Sequence, residues 1–120
     1  MARRIDWDSG VVAAGAAIAS PIFDVTDVGG LTVVADNSAG AATRNVTLEI
    51  MRGDETVIDT VTLRTVAIAA KERGVVGPQS GGALGTPALN FAFPITLPTK
   101  ARLNLAAGGA ANGRLTVFGG

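Results

Sequence analysis

The chain has 120 residues, with ten basic and ten acidic side chains and no histidine, cysteine or tyrosine. That length fits one domain with a real core. Histidine acid–base chemistry, thiolate metal sites and disulfide frameworks are excluded, and without a run of Lys or Arg a nucleic-acid groove is not indicated.

Apolar residues make up 48% of the chain but aromatic ones only 4%, so alanine and the 16 glycines fill the difference. Charged residues are 17%, against a usual ~25%. A charge-poor surface points to cover by other chains.

Taken in chain order, Ile5 and Trp7 alternate with Arg4, Asp6 and Asp8, which predicts a short first strand ended by Asp8-Ser9-Gly10. Arg3 and Arg4 ahead of Val11–Ala19, with Ala17-Ile18-Ala19 behind, have the outline of a secretory signal peptide. Asp6, Asp8, Gly10 and Gly15 argue against it. Residues 11–19 are either helix, which alanine favours, or an extended segment bent at Gly15; the second is preferred. Ile22, Phe23 and Val25 belong to another short strand, and Asp27-Val28-Gly29-Gly30 to a turn. Leu31, Val33 and Ala35 share one face of the next strand, and a loop follows at 36–40. No apolar run approaches the ~20 residues of a membrane span.

Residues 44–66 read as a β-hairpin. Val46, Leu48 and Ile50 fall on one face, Thr47 and Glu49 on the other. Gly53 is expected to take the positive φ of a type II′ turn. A turn centred there sets Ile50 opposite Val57 and Val46 opposite Val61. It also sets Asp59 opposite Leu48, a mismatch that a bulge on the second arm would remove.

Residues 67–73 fit either a helical turn or a strand leading into Val75 and Val76. Gly74 to Pro87, with five glycines and two prolines, is expected to be a long exposed loop. Leu89, Phe91, Phe93, Ile95 and Leu97 alternate with Asn90, Ala92, Pro94 and Thr96. This predicts an edge or bulged strand, with Phe91 and Phe93 buried. Pro98-Thr99-Lys100 turns the chain. Leu103 and Leu105 predict a further strand, residues 108–113 a hairpin loop with Asn112-Gly113 at positive φ, and Leu115 and Val117 a last strand. The expected class is all-β: one antiparallel β-sandwich, in jelly-roll form or otherwise, of about eight short strands.

Most motifs have bland explanations. Arg52-Gly53-Asp54 matches an integrin-binding tripeptide, but a hairpin turn wants Gly and Asp there. Asn45-Val46-Thr47 matches a glycosylation acceptor, yet sits in a strand. Asp24, Asp27, Asp36 and Asn37 could offer oxygens to calcium, but lack an EF-hand spacing and read as turn caps. The 74–85 stretch lacks the Gly-Lys-Ser/Thr of a phosphate loop. The carboxylate pairs Asp54/Glu55 and Asp6/Asp8 lie at a turn and on a strand face, without an aromatic cleft. The serines have no histidine partner. The expectation is no enzyme and no cofactor.

Trp7-Asp8-Ser9-Gly10, Ser20-Pro21-Ile22-Phe23-Asp24-Val25, Leu31-Thr32-Val33-Val34-Ala35-Asp36-Asn37 and the closing Arg114-Leu115-Thr116-Val117 form a layout. It resembles small β-sandwich structural proteins of tailed-phage virions, such as head-decoration and minor tail proteins. The likeness is one of pattern over most of the chain. It implies symmetric self-assembly in the virion as a homo-oligomer, with a trimer as first expectation. The partners would be the major capsid protein or other virion proteins, without substrate, nucleic acid or membrane.

Two alternatives are a carbohydrate-binding β-sandwich, for which only Trp7 could serve as platform, and a bacterial shell or pilus-like subunit. Apolar neighbours such as Val33–Val34, Ile50–Met51, Val57–Ile58 and Val117–Phe118 call for cover on both faces. The expected contacts are Arg3, Arg4, Ile5 and Trp7 in the N-terminal segment, with Val75, Val76, Pro78 and Leu84 in the glycine-rich stretch.

Overall fold

The structure is a computed structural model, and it describes residues 4–25, 31–77, 90–92 and 100–119. Among these residues there is no helix, and ten strands run β1 (Ile5–Asp8), β2 (Ile18–Ala19), β3 (Phe23–Asp24), β4 (Leu31–Asp36), β5 (Arg44–Met51), β6 (Val57–Val66), β7 (Lys71–Gly77), β8 (Asn90–Ala92), β9 (Lys100–Leu105) and β10 (Arg114–Gly119). They form two sheets. The first has the order β1-β10-β4-β7-β8; the second has β2-β9-β5-β6, with β3 also paired to β9. Every pairing is antiparallel except β7 with β8.

The pairings have a simple logic. β5 pairs with β6, β4 with β7, β2 and β3 with β9, and β1 with β10. This is one long two-stranded ribbon folded at the β5–β6 turn. Wrapped on itself, the ribbon brings β10 beside β4 and β9 beside β5. That is the jelly-roll connectivity, a closed two-sheet answer to the burial of one apolar face per strand.

The core follows the period-two pattern. Leu31, Val33 and Ala35 of β4, Val46, Leu48 and Ile50 of β5, Ala101, Leu103 and Leu105 of β9, and Leu115 and Val117 of β10 all point between the sheets and are buried. Ile5, Ile18, Val25, Leu63 and Val66 join them. Phe23 and Trp7 pack against this cluster from partly buried positions.

The hairpin differs from the sequence expectation in its turn and its register. Gly53 does not take positive φ. Glu55 does, at 70°, while its N–H donates to Arg52 O and Arg52 N–H donates to Thr56 O, both at 2.9 Å. A three-residue loop with a left-handed third residue matches the right-handed twist of the strands, so no type II′ glycine is required.

Ile50 therefore faces Asp59 rather than Val57, and Val46 faces Arg64 rather than Val61. Leu48 faces Val61, so the pairing with Asp59 moves from Leu48 to Ile50, next to the turn. Two register shifts on the β6 arm, between the Val46/Thr47 and Ile50/Met51 pairs, produce this. Each lets one extra β6 residue, Leu63 and Ile58, bulge from the ladder.

Three further expectations change or fall away. Gly74 to Gly77 are not loop but part of β7, which pairs with β4 from Asp36↔Lys71 to Leu31↔Val76. Ladder pairing overrides the weak strand propensity of glycine there, and Gly74 lies buried opposite Val33. Positive φ in the last hairpin loop belongs to Gly109, at 62°, not to Asn112 or Gly113. Of the expected 89–97 strand, 90–92 form β8, parallel to β7. Phe93, Pro94 and the rest of the 78–89 and 93–99 stretches lie outside the described residues, as does the turn at 27–30.

The extended reading of 11–19 holds. Val12 bridges to Gly113, the bend falls at Ala14 and Gly15 with φ of 63° and 65°, and Ile18–Ala19 form β2.

Candidate assembly surfaces

The polar side chains of the two outer faces are largely engaged with one another. On the first sheet, β1 and β10 lie side by side, and Arg114 Nε donates to Asp8 Oδ1 at 2.9 Å while its Nη2 donates to Oδ2. Thr116 Oγ1 adds a weaker bond to Asp8 at 3.3 Å. The guanidinium beside it, helped by the Gly10 N–H, holds the Asp8 carboxyl well below the usual range. One strand over, Asp36 caps the following turn by accepting the Ser38 N–H at 2.9 Å and hydroxyl at 2.5 Å, and these bonds lower its pKa.

On the second sheet, Arg102 Nε donates to Glu49 Oε2 at 2.6 Å across the β5–β9 register, and Asn104 Nδ2 donates to the same oxygen at 3.0 Å. Both keep Glu49 ionised below its ordinary range. Lys100 reaches Glu55 at 3.2 Å. Arg64 of β6 meets buried Glu72 of β7 at 2.8 Å, a tie between the two sheets. Among the described residues no three Asp or Glu side chains converge as a metal cluster. Asp36 and Asn37 act on their own loop; Asp27 lies outside the described residues.

The ends of the sandwich differ in kind. Because β1 ends beside the start of β10, β4 ends beside the starts of β10 and β7, and β5 starts beside the ends of β6 and β9, four connections meet at one end. They are residues 9–17, 37–43, 67–70 and 106–113. Half of their residues are alanine, six are glycine, and none is charged. Val11 and Ile68 project from this end with 65% and 56% of their surface exposed.

Backbone bonds stitch the loops together. Val12 and Gly113 exchange N–H···O bonds of 2.8 and 2.9 Å, Gly15 donates to Ala111 O at 2.9 Å, and Gly108 donates to Gly15 O at 3.1 Å. A Cβ on Gly15 would lie 2.0 Å from Gly109 O, so only glycine permits this approach. Buried Asn37 clamps the other two loops by donating to Ala42 O at 2.9 Å and Ala67 O at 3.0 Å. Gly40 leaves it room, since a Cβ there would meet Asn37 Oδ1 at 2.1 Å.

Beneath this end lies Arg44, 1% exposed. Its Nε donates to Ala106 O at 2.8 Å and Nη2 to Ala16 O at 2.7 Å, while Nη1 has no partner. A Cβ on Gly113 would fall 2.1 Å from Nη1. Burial without a facing carboxylate lowers the Arg44 pKa. The uncharged end therefore covers an uncompensated positive charge. The opposite end carries the β5–β6 turn, Arg52-Gly53-Asp54-Glu55-Thr56, with Val57 and Ile58 43% and 52% exposed and Asp59 next in line.

Of the contacts expected from sequence, Arg4 is exposed, Ile5 belongs to the core, and Trp7 is half-buried against it. All three are on or beside β1, the edge of the first sheet. Val75 and Val76 lie in β7, separated from β1 by β10 and β4. Arg3, Pro78 and Leu84 lie outside the described residues. The structure thus gathers part of the first group on one edge and does not bring β7 to it. The alanine–glycine end was visible in sequence only as four separate clusters. Arg44 did carry a signal: it precedes Val46, Leu48 and Ile50 on the inward phase of β5.

No protein-family model matches the chain, and no characterised protein matches its sequence. Among solved structures, one of infectious bursal disease virus, Gx strain, is similar to it at 18% identity and a TM-score of 0.44. The match takes in 98% of this chain and 30% of that one, so this chain spans about a third of its length. The jelly-roll assignment rests on the strand pairings themselves.

Proposed function

We propose that the chain is a non-enzymatic structural subunit of a virion, working by self-assembly and by docking on a capsid or tail lattice. The observation that carries this reading is the uncharged alanine–glycine end of the jelly roll. Its four connections carry no charge, with Asp8, Asp36, Lys71 and Arg114 only at the strand ends around them, and Val11 and Ile68 stand out from it. Jelly rolls serve capsid, lectin and cupin proteins alike, so the fold alone does not choose among them. A lectin-type site would need an aromatic platform, and Trp7 packs on the core instead. Cupin-type metal chemistry is disfavoured by the lack of histidine.

A capsid decoration or auxiliary capsid role is the first form of the reading, with a tail structural role as its alternative. Lateral contact would use the β1 edge, with Arg4 and Trp7, and the glycine-rich stretch after β7. A trimer is the first arrangement to test, as a closed symmetric form. Light scattering over a wide concentration range, alone and with purified phage capsids and tails, tests the proposal. Concentration-dependent assembly, or saturable binding to one of the particles, is expected. A protein that stays monomeric and binds neither would overturn it.

A further inference from the structure

The four connections at the alanine–glycine end are unlike the rest of the surface, and so is the turn at the far end of the same strands. The connections of one end carry no charge, the strand ends around them balance Asp8 and Asp36 against Arg114 and Lys71, and beneath lies Arg44, whose guanidinium faces no carboxylate. The other presents two exposed aliphatic side chains, Val57 and Ile58, among Asp54, Glu55 and Asp59 against Arg52 and Lys100, the latter paired with Glu55, so that among the described residues acid is in excess. The two surfaces are complementary in both respects. Each offers aliphatic groups to cover, and the acidic turn matches the positive potential of a buried, unpaired arginine. The small side chains of residues 9–17 and 106–113 also let a projecting turn approach the backbone closely.

We infer that the partner of the alanine–glycine end is the β5–β6 turn of a second copy of this chain, so that subunits join head to tail along the strand direction. The inference rests on the self-assembly reading and adds a contact to it. Such a contact is heterologous: the two surfaces that meet are different patches of the same molecule. It generates a ring if the rotation closes and a filament if it does not. It also leaves the β1 edge free for lateral neighbours.

The geometry allows a complementation test. Val11→Glu with Ile68→Glu blocks one end by setting acid against acid. Val57→Glu with Ile58→Glu blocks the other. All four positions are exposed, and circular dichroism checks that both variants fold. Analytical ultracentrifugation then follows the native chain, each variant, and an equimolar mixture. The expected result is large assemblies for the native chain and, for each variant alone, nothing beyond the small oligomer that lateral contact at the β1 edge gives. The mixture should form a larger species that neither variant forms alone, because each variant keeps one good surface of opposite kind. If the native chain assembles while the mixture forms nothing that the separate variants do not, or while either variant still assembles fully, the head-to-tail contact is wrong and self-assembly uses another face. If the native chain is itself monomeric throughout, the contact and the self-assembly reading both fall.

Discussion

Arg44 and Ala69 show how single side chains set the character of the alanine–glycine end. Arg44 supplies hydrogen bonds to two loop carbonyls that the ladders leave over, Ala16 O and Ala106 O. Removing it orphans both acceptors and empties the space beneath Gly108 and Gly113. Arg44→Ala should therefore cost roughly 2–4 kcal/mol in chemical denaturation. Gly113→Ala should be damaging from the other side of the same contact, because its methyl would collide with the guanidinium.

Ala69 offers the opposite case. It holds φ at 58° in the exposed β6–β7 turn and donates to Gly40 O at 3.1 Å. A left-handed alanine is strained, so Ala69→Gly should raise stability by up to about 1 kcal/mol, read as a shift of the thermal midpoint.

At the scale of strands, the inward row of β5 lies wholly within the core. Leu48, 1% exposed, lies between Val61 of β6 and Leu103 of β9. Leu48→Ala should cost about 2–5 kcal/mol.

The outward row predicts acid sensitivity. Asp8, Asp36, Glu49 and Asp54 all have folded-state pKa values held below their ordinary ones by hydrogen bonds, and for Asp8 and Glu49 by a facing arginine as well. A depressed carboxylate stabilises the fold fully above its unfolded value and loses that contribution as pH falls through the folded value. Stability should be flat near neutrality and fall below about pH 5, where unfolded carboxylates begin to protonate. Glu49→Gln should flatten that fall, measured as denaturation midpoints across the acid range.

These rows also show what the sequence can and cannot say. Alternation placed Leu31, Val33, Leu103, Leu105, Leu115 and Val117 inside, because a period of two is a local property. The β5–β6 register was not local in this sense. It depends on a left-handed Glu55 and on bulges at Ile58 and Leu63, none of which has a distinctive residue type. Gly74 reads as loop because its strand character comes from Val33 of β4, some forty residues earlier in the chain, and Gly77 because its partner is Ala92 of β8.

For the molecule as a whole, the wrap decides which surfaces exist. Glu49–Arg102 lies on a sheet face and Lys100–Glu55 at the β5–β6 end, while Asp8–Arg114 sits at the rim of the alanine–glycine end, whose four connections carry no charge themselves. This end could not be found from any one of its clusters, since only the pairing of distant strands brings 9–17 beside 106–113 and 37–43 beside 67–70. Assembly through it should tolerate salt better than contacts made of ion pairs. Sedimentation at low and high ionic strength measures this, and collapse of the assemblies on adding salt would point to a charged interface instead.

The folded ribbon has a consequence for how the chain comes to be made. Its innermost rung, β5 with β6, joins neighbours in sequence, whereas its outermost, β1 with β10, joins the first described strand to the last. Closing the outer rung first would cost the entropy of a loop nearly as long as the chain, while zipping outward from the turn splits that cost into short steps. On the ribosome the turn can form well before β10 emerges, but β1 and β4 both wait for β10, the last of the ten strands to be made. Until then the first sheet lacks the strand that joins β1 to β4. A chain cut ahead of β10 would lose the clasp that holds β1, and every such product would be an open ribbon.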